Sequence, residues 1–476
     1  MHTPEFRAAG HRLVDLLADY LETVETKPLF SSIEPRALAS LFEEPLPQEP
    51  ATLAAIIEEL QAKVLPHCTQ INHPGYLGLI TPTPTPVGIL GDFVASTLNQ
   101  NASVWSCGPS ATTVERQVLR WLTDLVGYGP QAGGNLTSGG SMATFIALKL
   151  ARDWATGDRA QHEGITAPLA AYTSEERHVS VDKSADAIGI GRNGLRIIPT
   201  DDQFRIRVDL LTQAIAADRQ RGIQPFAVVA SGGSTNTGVI DPLDELHALC
   251  DRERLWLHVD AAYGGGMLLS RRHPGALAGL AYADSVTIDP HKWFFAPLDA
   301  GAVLVRDAER LTRSYGLRPQ YLIDGAADGD ERYNFYAHGF EQSRRFRALK
   351  VWMGMKRYGA AQIGAWVDAN IDHVLRLYEH FSADPDFAVA RRPVMSVICA
   401  RYRGAGDLSD AQSARLHATV ARRIEEGGQF WIGTTHLKGQ WYFRVCPVNF
   451  RTRTEHMDQL YELLKTECAS TALSIR

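Results

Sequence analysis

Between residues 85 and 305, short apolar runs rich in β-branched side chains alternate with stretches of helical periodicity. The runs fall at 195–199, 226–230, 255–259, 285–288 and 302–305, and the helical stretches at 112–126, 141–155 and 243–252. The runs are continuously apolar. A strand that shows water one face alternates polar and apolar residues, so continuous runs belong to strands covered on both sides. Helices between such strands provide the cover and the crossovers. The pattern therefore predicts an α/β fold with a mainly parallel sheet between helices. Ligands of these folds gather at the carboxyl ends of the strands.

The flanks differ. Residues 5–26 keep helical spacing through Val14, Leu17, Leu21 and Val24, and Pro28 ends the pattern. A Pro- and Glu-rich loop (43–50) leads to a second helix at 52–65, with Thr52 or a neighbour as its cap. This arm, residues 1–84, has little core of its own and must pack on something else. A large domain over 85–375 follows, with helical periodicity at 346–380. Strand-like runs at 396–400 and 441–445, with helices at 411–426 and 455–467, predict a small α+β domain over 376–476.

Chemistry-bearing residues cluster after the runs. Gly133-Gly134-Asn135-Leu136-Thr137-Ser138-Gly139-Gly140-Ser141 enters a helix directly. Free N–H groups and the positive end of a helix dipole suit a phosphate, and Gly139, Gly140 and Ser141 are the candidate ligands. A flexible loop with a serine cap is the plain alternative. Neither GxxxxGK[ST] nor GxGxxG is present, so nucleotide motifs are not supported. Asp260 closes an apolar run, and Lys292 lies 32 positions later in Asp289-Pro290-His291-Lys292-Trp293. His178 precedes Val179-Ser180-Val181. An amine for a Schiff base, a carboxylate for a pyridine nitrogen and an imidazole for the ring face are the parts of a pyridoxal phosphate (PLP) site. Each has an ordinary reading as well: a surface lysine, a turn-capping aspartate, a satisfied core histidine.

Other classes are disfavoured. A net charge of −6 offers no basic field for nucleic acid or an anionic membrane. No uncharged apolar run approaches the roughly 20 residues that span a bilayer. Six scattered cysteines without CxxC, and histidines without HxxxH or HExxH spacing, argue against a metal site and for a reduced, cytoplasmic setting. The N-terminal residues show no secretion signal.

Taken together, these residues resemble the PLP-dependent group II amino-acid decarboxylases, and most of all the aromatic-L-amino-acid decarboxylases. The likeness runs through Glu5-Phe6-Arg7, Gln48-Glu49-Pro50, His73-Pro74, Asn99-Gln100-Asn101, Glu115, Thr137 to Ser141, His178 and Thr235. It continues through His258-Val259-Asp260-Ala261-Ala262-Tyr263, Pro290-His291-Lys292-Trp293 and Arg344 to Lys350. The resemblance implies the type I, aspartate aminotransferase-like fold with a seven-stranded-type sheet, and a homodimer with shared active sites. It implies that Lys292 carries the cofactor, Asp260 pairs with its ring nitrogen and His178 stacks on the ring. Gly140 and Ser141 would hold the phosphate with His291 nearby, Thr235 and Ala262 would line the ring, and Ser343 would reach the phosphate of the neighbouring subunit. Tyr321, before a Gly-, Ala- and Asp-rich segment at 324–331 expected to act as a lid, would return a proton to the substrate carbon. Relatives with Phe at that Tyr, or Asn at the stacking His, form aldehydes instead; Tyr321 and His178 are the decarboxylating residues. The substrate pocket would involve Leu79, Ile80, Pro82, Trp105, His178, His291 and Tyr321. Leu79 and Ile80 depart from the aromatic residues common there, and no extra cation sits in these segments. An aromatic or other apolar amino acid is expected over glutamate or cysteine sulfinate, with histidine and diaminobutyrate as further alternatives.

Overall fold

The computed structural model describes residues 3–317, 332–404, 406 and 408–475. The chain divides into two compact units. One comprises Pro84–Asp372 with Pro393–Val397, and the other comprises Met1–Thr83, His373–Arg392 and Ile398–Arg476.

The larger unit is built on seven strands: β1 (Gly133–Thr137), β2 (Leu169–Ser174), β3 (Leu195–Ile198), β4 (Gln224–Ser231), β5 (Trp256–Asp260), β6 (Ser285–Ile288) and β7 (Gly301–Val305). Their order is β1-β7-β6-β5-β4-β2-β3. The pairings β2–β3, β2–β4, β4–β5 and β5–β6 are parallel, and β7 runs antiparallel to both β6 and β1. The expected mainly parallel α/β sheet is present. The β-branched runs become β3 to β7. β1 and β2 were not foreseen, because Gly-Gly-Asn and Leu-Ala-Ala-Tyr lack the β-branched signal.

Helices cover the sheet. Ala143, Ile146, Ala147 and Leu150 of the helix Gly140–Ala155 share one buried cluster with Val181, Phe226, Val229, Val303 and Val305. Residues i, i+3, i+4 and i+7 lie along one helical stripe, so this face follows from the sequence period. Removing these groups from water stabilises the unit by about 25 cal/mol per Å² of apolar surface. The helix Ala348–Ala383 is broken at Gly359 (φ 68°, ψ 163°). That left-handed residue explains why one helical pattern over 346–380 becomes two segments.

The smaller unit carries an antiparallel sheet of β8 (Phe387–Val389), β9 (Ile398–Tyr402), β10 (Gly433–Leu437) and β11 (Gln440–Val445), in the order β10-β11-β9-β8. Leu416, Val420 and Ile424 of the helix Asp410–Glu426 and Met457, Leu460 and Leu464 of the helix Thr454–Ile475 close its core. Ser409 caps the first of these with a capping box to Gln412. The helix Thr3–Thr23 has no buried residue. No helix among the described residues is long and apolar enough to cross a membrane.

Candidate active site

Three neighbouring strands set the site. Asp260 is the last residue of β5, and its register partners are Ser231 on β4 and Thr287 on β6. Its Oδ1 accepts the Ala262 N–H (3.1 Å), which fixes the carboxylate against the turn after the strand. Ala262 in turn accepts the Asp289 N–H (3.0 Å), tying the turn after β5 to the turn after β6.

That second turn carries Lys292. Trp293, fully buried, anchors it: the indole N–H donates to Asn370 Oδ1 (3.0 Å) and the ring stacks on Tyr263 at 4.7 Å. Lys292 Nζ lies 3.2 Å from Asp289 Oδ2. His291 Nδ1 accepts the Ala300 N–H (2.9 Å), so the neutral ring carries its proton on Nε2, which lies 3.4 Å from the same Asp289 oxygen. The Gly140 N–H donates to that oxygen as well (3.0 Å). Burial would raise the Asp289 carboxyl, but Lys292 and His291 outweigh it and hold the group below the usual carboxylate range. Sequence reasoning quoted Asp289 without giving it a role, yet it is the meeting point of the cradle and the lysine. Nothing in the sequence signals it beyond its place in the Lys292 motif.

Gly139 and Gly140 are glycines for geometric reasons. Gly139 has φ 154°, and a Cβ there would lie 3.1 Å from the His291 ring. A Cβ on Gly140 would meet Asp289 Oδ2 at 3.0 Å. The helix that starts at Gly140 has no side-chain cap. Its first amide, Gly140 N–H, is taken by Asp289, and the exposed Ser141 beside it is open to an anion.

His178 is the N-cap of the helix Val179–Ala187, and its Nδ1 accepts the Ser180 N–H (3.2 Å). The ring proton is thus on Nε2. Burial holds the imidazole below its ordinary range; the Asp260 charge pulls it up and the Lys292 charge pushes it down. His178 thus feels the charges of both Asp260 and Lys292. Thr235 lies in the turn after β4, and that turn is pinned to the His178 segment by the Thr237 hydroxyl, which donates to Glu176 Oε2 (3.1 Å).

Beneath Asp260, on the same face of β5, His258 is fully buried. Ser285 Oγ accepts the Trp256 indole N–H (2.8 Å) and is hydrogen-bonded to His258 Nδ1 (2.9 Å), while His258 Nε2 faces Thr287 Oγ1 (3.3 Å). Burial pushes His258 down to about 4. The unfolded imidazole takes a proton near pH 6.5. The unfolded state thus binds more protons between pH 6.5 and 4, and stability is lost as pH falls through that window. His258→Gln keeps a neutral polar group. It is expected to be less acid-sensitive than the wild type by about 3 kcal/mol between pH 7 and pH 4. Equal acid sensitivity of both in urea melts at the two pH values would remove this assignment.

Trp105 belongs to the same unit. Its backbone N–H donates to Asn334 Oδ1 (2.9 Å), and the Arg332 guanidinium lies 5.5 Å from its ring centroid. The expectation that no extra cation accompanies the pocket segments did not foresee Arg332, which sits 227 positions along the chain. Ser343 is exposed beside Arg344. Leu79, Ile80 and Pro82 belong to the other unit: Leu79 is exposed, Ile80 half-buried and Pro82 buried. Tyr321 and the segment 324–331 lie outside the described residues. No group of three or more potential metal ligands occurs among the described residues.

The family model for the pyridoxal-dependent decarboxylase conserved domain matches residues 35–403. The chain belongs to the pyridoxal-dependent decarboxylases. It is 32% identical to an aromatic-L-amino-acid decarboxylase of Bacillus atrophaeus, over 99% of this chain and 97% of that protein. It is 26% identical to the phenylacetaldehyde synthase of Arabidopsis thaliana, over 98% and 97%. Among solved structures it is similar to the Oryza sativa TDC with PLP and tryptamine, with a TM-score of 0.93, 26% identity and 99% of both chains covered. This decarboxylase is thus a PLP-dependent carboxy-lyase on the fold of that family. Its residues fit the cofactor: a helix start with two glycines, a lysine amine, a carboxylate at a strand end, and an Asp289 Oδ1 that is buried without a hydrogen-bond partner.

Proposed function

We propose that the decarboxylase converts an aromatic L-amino acid to its amine and CO2, with Lys292, Asp260, His178 and Tyr321 as the working groups. When bound, PLP supplies an aldehyde for an amine and a ring that takes up the electron pair left by the departing CO2. Lys292 would hold the cofactor through its amine, which lies beside Asp289. Asp260, fixed by the Ala262 amide, keeps a ring nitrogen protonated. His178, held by the Ser180 amide at Nδ1, would lie against the ring with its Nε2 proton free to meet the substrate. Gly139, Gly140 and Ser141 take the phosphate, and Thr235, Ala262 and His291 line the ring. Orientation of the Cα–carboxylate bond, which the pocket controls, selects loss of CO2 over loss of the Cα proton. Tyr321 then returns a proton to Cα.

The hydrogen-bonded link from Asp260 through Ala262 to the turn that carries Lys292 is the observation that carries this reading. The aromatic preference is supported by the named relatives and by the apolar ring of Trp105; Arg332 beside that ring is the feature that would favour an acidic substrate instead. A CO2-release panel with DOPA, tyrosine, tryptophan, phenylalanine, histidine and glutamate decides. At least a tenfold preference in kcat/KM for an aromatic substrate, about 1.4 kcal/mol, is expected; preference for glutamate or histidine would sink the assignment.

A second reading, aldehyde formation with consumption of oxygen, is favoured by the likeness to the Arabidopsis synthase. With Tyr321 and His178 in place, amine should be the main product. Tyr321→Phe should slow amine release and raise aldehyde, ammonia and peroxide, and unchanged product ratios would count against the role of Tyr321.

The chain acts as a homodimer, with the helix Thr3–Thr23 of the N-terminal arm packed on the partner copy and Ser343 reaching the partner's phosphate. Support comes from Leu90, Phe93, Val94 and Leu98, exposed together on the helix Pro86–Leu98, and from the wholly unburied helix Thr3–Thr23. A single-chain mass in sedimentation at micromolar concentration would refute it. A cytoplasmic setting fits the six free cysteines.

A further inference from the structure

Asp289 is a carboxylate inside an anion site. Its Oδ2 takes the Gly140 amide at the start of the helix Gly140–Ala155, the same N–H and the same helix end that serve the phosphate in the reading above. Its other oxygen, Oδ1, is fully buried and has no partner. Atoms that a Cβ would place on Gly140 and Gly301 fall 3.0 Å from Oδ2 and 2.7 Å from Oδ1, so the carboxylate is enclosed by backbone and cannot swing to solvent.

A phosphate monoester is mostly dianionic above pH 7, its second pKa being about 6. Two anions sharing one amide and one helix end repel strongly, and like charges at such distance force one of them to hold a proton. The titratable groups facing Asp289 are few. Lys292 and His291 come from its own segment. His178, at the start of the helix Val179–Ala187, feels the Asp289 charge, and Asp260 at the end of β5 acts on His178 in turn. The Gly140 helix contributes an amide, and Gly301 of β7 contributes no side chain. Lys292 is the only full cation at the carboxylate among these groups, and carrying the cofactor takes its amine away from Asp289.

We propose that the carboxylate of Asp289 makes cofactor uptake proton-linked: one proton, taken from solvent when the phosphate enters, is held between Asp289 and a phosphate oxygen. The inference rests on the phosphate reading of Gly139 to Ser141. Affinity for the phosphate therefore falls as pH rises.

The test uses the full chain freed of cofactor and pyridoxine 5′-phosphate, which has the phosphate and no aldehyde, so that Lys292 forms no bond. Calorimetric titration in two buffers of different ionisation heat should show uptake of about one proton per site, and Kd should rise about tenfold from pH 7 to pH 8. Asp289→Asn, which is isosteric and uncharged, should show no uptake, tighter binding at pH 8 and less than about a twofold change in Kd. Asp289→Ser should behave likewise and guards against a misfolded amide variant. Equal pH slopes in wild type and both variants, or no proton uptake by the wild type, would overturn the inference alone, provided that PLP still gives its visible band. Failure of the wild type to bind either vitamer would overturn the functional reading and this inference with it.

Discussion

Lys292→Ala is expected to lose the visible absorbance of bound PLP and to cut CO2 release by roughly 10⁴-fold or more, because Lys292 is the amine proposed to hold the aldehyde. The variant also removes the ammonium 3.2 Å from Asp289 Oδ2. Lys292→Arg separates the two roles. It keeps a cation for Asp289 but supplies no nucleophilic amine, since a guanidinium stays protonated. Thermal stability without cofactor should therefore be nearer wild type in the Arg variant than in the Ala variant, while both are inactive. Turnover by either variant within tenfold of wild type would contradict the placement of the cofactor on this residue.

Arg344→Met is expected to be the most destabilising single change outside the site. Arg344 and Glu115 form an ion pair in which both side chains are buried. The same guanidinium donates to Asn135 Oδ1 (2.5 Å), to the Leu136 carbonyl (2.8 Å) and to the Ala102 carbonyl (3.1 Å), and stacks on Phe335. Its backbone N–H donates to Asn101 Oδ1 (3.0 Å), and Glu115 Oε1 accepts the Leu136 N–H (3.1 Å). Two segments over 200 positions apart are thus clamped to β1, immediately before the Gly139 cradle. Removing one partner leaves a buried charge and costs about 3–5 kcal/mol. In a unit of this size the melting temperature should fall by about 10 °C. The double variant Arg344→Met with Glu115→Gln should lose clearly less than the sum of the two single losses, as coupled neighbours do. Strict additivity, or a shift of Arg344→Met under 2 °C, would show that the clamp carries little.

The parts of this chain that could be read without coordinates are those where a local pattern and a tertiary role coincide. β3 to β7 are apolar and β-branched because both faces are covered, and so they stood out. β1 was hidden because the residues that let its backbone pass close to β7 are glycines: a Cβ on Gly134 would lie 2.4 Å from the Val303 carbonyl oxygen. β2 was hidden by alanines packed under the Gly140 helix. In the proposed site, the residue types of Lys292, Asp260 and His178 announce the chemistry assigned to them. Asp289 does not announce its role, since the amide it accepts belongs to Gly140, 149 positions away. Arg332 beside Trp105 was out of reach for the same reason: proximity across 227 positions leaves no local trace. The helix Pro86–Leu98 went unforeseen because its exposed Leu90, Phe93, Val94 and Leu98 blur the polar–apolar stripe that marks a surface helix.

Asp260 and Thr287 face each other across hydrogen-bonded β5 and β6, and only one residue separates Thr287 from Asp289. The spacing between the two carboxylates is therefore inherited from backbone pairing and not from any flexible tether. A slip of one position between these strands would turn each side chain to the opposite side. Evolution toward a new substrate is accordingly free to work on outlying segments such as those of Trp105 and Arg332, while the reacting frame stays as immobile as the pleat it grows from.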